Sequence, residues 1–158
     1  MAEIGSWQTA EVGGPKKAAV VKKPEVVVAM LRRADRPLLV VGHLAGEIAC
    51  GERSMIDCLI DLARITGCTL IATGNASAAL RERGTVPDAV MPAVDVGNRL
   101  TDPAWRGIDG KGSYDLVLLA GLPYPMGYTI LSGLKHFSPK VKTICLDPGY
   151  QPQANWSF

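Results

Sequence analysis

"RPLLVVGHLAGE", residues 36–47, runs from Pro37 through Leu38, Leu39, Val40 and Val41 to Gly42 and then turns small, polar and acidic. A short run apolar at every position, β-branched at its end and closed by glycine, reads as a strand buried on both faces, the kind found inside parallel sheets. The residues leave open whether the turn at Gly42 receives a phosphate or only ends a strand.

Working outward, "KPEVVVAMLRRA" places Val27, Met30 and Leu31 on one helical face behind Pro24 and ahead of Arg32 and Arg33, which predicts a short amphipathic helix. On the other side, "SMIDCLIDLARITG" repeats apolar residues at Met55, Leu59, Leu62 and Ala63 and closes on Gly67, the position of a helix C-cap. "CTLIATG" then predicts a strand, "SAALRERG" a short helix, "YDLVLLAG" a third strand, "YTILSGLKHF" a helix and "KVKTICLD" a last strand. The piece between, "TVPDAVMPAVDVGNRLTDPAWRGIDGKGS" (85–113), reads as a long irregular loop with a short strand at 89–91. Strands alternating with helices indicate an α/β fold, doubly wound around a mostly parallel sheet.

The composition agrees with one such domain. The chain has 158 residues, 47% of them hydrophobic, enough to bury a real core. Seventeen Lys and Arg against fifteen Asp and Glu leave a net charge of +2, too small for a field that gathers nucleic acid or coats a membrane. No stretch approaches the about 20 apolar residues of a membrane span, and the N-terminal residues lack a basic start followed by an apolar core, so the expected location is the cytoplasm. Residues 1–23, with Gly13, Gly14, Pro15 and four lysines, read as an arm, extended or docked on a partner, and residues 24–158 as the domain. The four cysteines, at 50, 58, 68 and 145, form no close pair of the kind that ligates zinc or an iron–sulfur cluster, so no bound metal is expected.

Ligands of open parallel sheets sit beyond the carboxyl ends of the strands, here "VGHLAGE", "ATGNAS", "LAGLPYP" and "CLDPGY". Gly42 and Gly46 would let backbone come close to a pyrophosphate, yet their spacing is not GxGxxG, and "GIDGKGS" is not a P-loop. Asp147 suits a ribose or adenine acceptor and equally a turn before Pro148. His43 has no second group at motif spacing, so no catalytic residue is assigned. Trp7, in an otherwise polar arm, is a large aromatic that docks on this domain or on a partner.

Together "RPLLVVGHLAG", "LARITGCTLIATGNASAALRERG", "YDLVLLAGLPY", "LTDPAWRGIDGKGSYDLV", "SWQTAEVGGPKKA" and "VKTICLDPGYQPQANWSF" resemble the epsilon-subunit family of archaeal acetyl-CoA decarbonylase/synthase complexes. More coarsely, the strand ends are similar to the FAD/NAD-binding middle domain of thiamine-diphosphate enzymes, a Rossmann-like fold. That likeness implies an adenine dinucleotide such as FAD surrounded by Gly42, His43, Gly46, Thr73, Gly74, Asn75, Gly121 and Asp147, without thiamine chemistry.

The family resemblance implies an accessory, non-catalytic subunit. It would be bound in a two-plus-two assembly to the large nickel–iron–sulfur carbon monoxide dehydrogenase subunit, within a larger complex that makes or cleaves acetyl-CoA. Trp7, Trp105 and Trp156 are the interface candidates, with packing inside their own domain as the alternative. Two other readings compete: a stand-alone flavin- or nicotinamide-binding oxidoreductase, and a purely structural protein that binds no nucleotide.

Overall fold

The computed structural model describes residues 17–158. Seven strands form one sheet, β1 (Ala19–Val20), β2 (Pro37–Val41), β5 (Thr69–Ala72), β6 (Ala89–Val90), β7 (Leu116–Ala120), β8 (Lys142–Cys145) and β9 (Trp156–Ser157). They lie in the order β1-β9-β8-β7-β2-β5-β6, and β3 (Ala49–Cys50) and β4 (Arg53–Ser54) make a separate small hairpin. Every pairing in the large sheet is parallel. Counted in chain order from β2, the six strands from β6 to β9 run 3-2-1-4-5-6, so the winding reverses between β2 and β7.

The continuous apolar runs are explained by two-sided burial. Along β2, Leu39 and Val41 face one core while Leu38 and Val40 face the other, and along β7 Leu118 and Leu119 divide in the same way. Each such side chain contributes about 2 kcal/mol when fully buried.

The first core is covered by α1 (Glu25–Arg33), α2 (Met55–Thr66) and α3 (Ala76–Glu82), through Val27, Leu31, Ile56, Leu59 and Leu80. Helix α2 ends where the sequence indicates, with Gly67 left-handed at φ 64°. The second core is covered by α4 (Ala93–Thr101) and α5 (Tyr124–Phe137), through Val96, Leu100, Ile130, Leu131 and Leu134.

Two readings of the sequence change. Residues 93–101, read as loop, are helix α4. Ala93, Val96, Gly97 and Leu100 are buried at helical spacing, and this packing outweighs the glycine and valines that lower the segment's intrinsic helix preference. Residues 18–21, read as part of the arm, belong to the domain: Ala19 and Val20 pair with Trp156 and Ser157, and Ala18 and Val21 are buried. The tail makes this possible by folding back: Tyr150 Oη donates to the Ala18 carbonyl at 2.6 Å, and the Asn155 side chain accepts from the Thr143 amide at 2.8 Å.

The loop between α4 and β7 is ordered from below the sheet by Arg36. Its guanidinium donates to Asp109 at 2.6 and 3.2 Å and lies 5.0 Å over the Tyr114 ring, while Asp115 accepts from the backbone amides of Asp35 and Arg36 at 2.8 Å each. Asp109 is held down at about 2 by these bonds from Arg36 and by the Lys111 amide.

Candidate functional site

The winding reversal puts the carboxyl ends of β5, β2, β7 and β8 side by side, which brings the eight residues expected to surround a dinucleotide to one edge of the sheet. Their glycines do different work there. A Cβ built on Gly42 would lie 2.1 Å from the Gly121 carbonyl oxygen and 2.7 Å from the Leu122 nitrogen. Gly121, at φ 75°, would set a Cβ 2.5 Å from the Ala45 nitrogen. The turns after β2 and β7 therefore touch backbone to backbone, a distance only glycine permits.

Their donors are used within the chain as well. The Gly42 amide donates to the Ala120 carbonyl at 2.7 Å, the Leu44 amide to the Gly121 carbonyl at 2.9 Å, and the Thr73 amide to the Val41 carbonyl at 2.9 Å. The Gly121 amide donates to Asp147 Oδ1 at 2.6 Å. Burial raises the Asp147 carboxyl above the usual carboxylate range, against the lowering effect of that bond. The residues that the sequence offered to a pyrophosphate thus form a closed seam: β5 is tied to β2, β2 to β7, and β7 to β8.

The outer rim is open. His43, Gly46, Gly74 and Asn75 are exposed, and a Cβ at Gly46 or Gly74 would meet nothing within 4 Å. Gly46 belongs to a single 3₁₀ turn, His43–Gly46, and Glu47 follows it on the surface, an unfavourable neighbour for a phosphate.

Among the described residues no group of three or more His, Cys, Asp or Glu side chains is placed to hold a metal ion. Burial pushes the Cys68 thiol up, and burial together with the Asp147 carboxylate pushes Cys145 up to about 12. Cys50 is also raised, by desolvation and by its neighbour Cys58. All three shifts favour the neutral thiol over the thiolate.

Of the three tryptophans, Trp7 lies outside the described residues. Trp105 is half-buried, its ring 5.6 Å from that of Tyr114, and Trp156 packs from β9 against the first core. Both are engaged within their own domain and keep only part of their surface exposed.

A large groove lies elsewhere. A groove of about 730 Å³ runs between α4 and α5, with Val94, Asn98, Met126, Ile130, Gly133 and Phe137 among its lining residues. Sequence reading missed it because α4 was read as loop; the glycine inside the helical "YTILSGLKHF" was the one available signal.

The whole chain also has relatives. The family model described as CO dehydrogenase beta subunit/acetyl-CoA synthase epsilon subunit matches residues 1–158. The chain belongs to this family. Among curated proteins of the family, the acetyl-CoA decarbonylase/synthase complex subunit epsilon of Methanothermobacter thermautotrophicus is 35% identical over 152 residues, 96% of this chain and 84% of that protein. Subunit epsilon 1 of Archaeoglobus fulgidus is 39% identical over 144 residues, 90% of this chain and 74% of that protein. The epsilon subunit of Methanothrix soehngenii is 31% identical over 153 residues, covering 96% and 79%.

No described helix is long and apolar enough to cross a membrane.

Proposed function

We propose that this family member is an accessory, non-catalytic subunit of an acetyl-CoA decarbonylase/synthase complex. It would act in the cytoplasm, in the carbon monoxide dehydrogenase component, by binding and stabilising the large nickel–iron–sulfur subunit in a two-plus-two assembly. The observation that carries this reading is the family match across residues 1–158, together with curated epsilon subunits at 31–39% identity over most of the chain.

For FAD, the Rossmann-like strand order favours a dinucleotide at the winding reversal. The inner residues do not fit one: the space at Gly42 is taken by Gly121, and the amides of Gly42, Leu44, Thr73 and Gly121 are already bonded. The proposal therefore confines any FAD to the exposed rim of His43, Gly46, Gly74 and Asn75 and routes no electron-transfer step through it. Bound FAD at about 100 times its dissociation constant stabilises the chain by about 2.7 kcal/mol, so a melting curve with and without FAD decides this part. An unchanged melt, alone and with the large subunit present, removes the cofactor and leaves the subunit reading standing.

The subunit reading is tested by tagging the chain and recovering it anaerobically from native extract. Recovery of a large nickel–iron–sulfur polypeptide in equal amount is the expected result. Recovery of the chain by itself, where that polypeptide is abundant, overturns it.

A further inference from the structure

The groove between α4 and α5 has four features that a surface facing only water does not need. First, its exposed apolar residues come from both helices at helical spacing: Val94 (55% exposed) from α4, and Met126 (39%) and Phe137 (76%) from α5. Second, it lacks charge. Its lining includes no Lys, Arg, Asp or Glu, and the hydroxyls of Thr101 and Thr129 donate back to their own helices, at the carbonyls of Asn98 and Pro125. With both hydroxyls so engaged, Asn98 is the remaining polar side chain among the lining residues.

Third, Gly133 sits inside α5, where glycine is a poor helix former, and a Cβ built on it would meet nothing within 4 Å. A Cβ built on Gly42 or Gly121 would strike the backbone of the opposing turn, and one built on Gly97 would lie 3.4 Å from Ile130, but among the described residues nothing fills the space above Gly133. Fourth, the dimensions suit a helix: α5 has 14 residues, about 21 Å of helix at 1.5 Å per residue, and its lining positions 126, 130, 133 and 137 repeat at three and four residues along the whole length.

We infer that this groove seats an amphipathic helix from another subunit of the assembly, laid with its apolar face between Val94, Met126 and Phe137. The inference rests on the accessory-subunit reading, which supplies a neighbouring polypeptide. The helix-in-groove mode accounts for the uncharged lining, because an apolar face brought into it leaves no charge unpaired. A small polar ligand is disfavoured for the same reason, since the groove would offer it little beyond one amide. The gap above Gly133 receives the largest anchor side chain of the incoming helix, and Phe137 closes the groove at the end of α5.

Two variants of the tagged full chain test this in cells that make the whole complex, with Ile65→Glu, 84% exposed on α2 across the sheet, as the control. Gly133→Leu fills the gap with a better helix former, so the isolated variant melts at or above the wild-type temperature. Its recovery of the partner subunit falls at least tenfold, as does that of Phe137→Glu, while Ile65→Glu matches the wild type. Partner recovery by Gly133→Leu equal to wild type overturns the groove and leaves the subunit reading intact. If the wild type itself recovers no other subunit, that reading fails and the groove proposal falls with it.

Placing a benzophenone photocrosslinker at position 137 gives a readout that does not depend on mutant stability. An adduct with another subunit supports the proposal. An adduct only with a second copy of this chain, or only with its own residues 1–16, overturns it.

Discussion

Glycines at two kinds of position in this molecule do different work. Gly42 and Gly121 stand at strand ends, in the pattern of a phosphate-binding turn, and the structure fills the space beside each with the other's backbone. Gly97 and Gly133 stand inside helices; the space at Gly97 is met by Ile130, and Gly133 is left with open space beside it. What separates Gly133 from Gly42 and Gly121 is whether the described chain occupies the volume that the missing side chain vacates. Gly42 and Gly121 are structural requirements, whereas Gly133, with ordinary helical backbone and open space, is available to a partner.

The sharpest way to break this comparison is at Gly42. Alanine there forces a Cβ to within 2.1 Å of the Gly121 oxygen, and neither turn can yield without parting β2 from β7. The expected loss exceeds about 4 kcal/mol by urea unfolding, the range reserved for severe backbone or core conflicts. A loss under about 1 kcal/mol would mean that the crevice opens readily, and would return Gly42 to the candidate ligand residues.

Next in size is Asp147, which closes the same seam with a side chain. Asp147→Ala leaves the Gly121 amide without its acceptor and costs about 1–3 kcal/mol, whereas Asp147→Asn keeps an oxygen in place. Because the folded carboxyl is raised, the native state binds the proton more tightly than the unfolded chain does. The wild type therefore loses stability as pH rises from the usual carboxylate range through the raised value. Asp147→Asn removes that slope, so the two melting curves converge in acid and separate toward neutrality, with the asparagine variant the more stable. Parallel curves across that window would show that the carboxylate is not strained by burial.

At Gly133 the sign reverses. Gly133→Ala should stabilise the isolated chain by up to about 1 kcal/mol, as expected for an unhindered helix interior. A destabilising alanine would reveal a neighbour at that position within the chain and remove the contrast with Gly42.

The smallest effect lies at the opposite ends of β2 and β7, where the Arg36–Asp109 pair helps hold the loop. Asp109 is lowered to about 2, so its contribution is complete above the usual carboxylate range and is lost as pH falls through about 2. Trp105, which stacks with Tyr114 beside Arg36, should report a local change in fluorescence there. Asp109→Asn should abolish that change while leaving neutral-pH stability nearly unchanged, as for other exposed ion pairs.

The strands and most of the helices were legible because burial on two faces writes an unbroken apolar run, as at Leu38–Val41 and Leu116–Ala120, and burial on one face writes a helical stripe, as at Met55–Ala63. Helix α4 was hidden because its signal is only Ala93, Val96 and Leu100, broken by Gly97 and bracketed by Pro92 and Pro103. Strands β1 and β9, the last two at one side of the sheet, are two residues each, too short to carry a period, and exist because the tail from Tyr150 to Phe158 folds back beside β8. The candidate site was legible in part: the strand-end residues were placed on one edge, but their use was not.

By itself the sequence determined the alternation of strand and helix, the parallel two-faced sheet and, through its resemblance, the family. These follow from periodicity and residue identity, which are local properties of the chain. Only the tertiary structure decided which glycines are occupied by their own fold and which face outward. That depends on which backbone segment arrives at a given Cα from far along the chain, as Gly121 arrives at Gly42, and no local pattern encodes it.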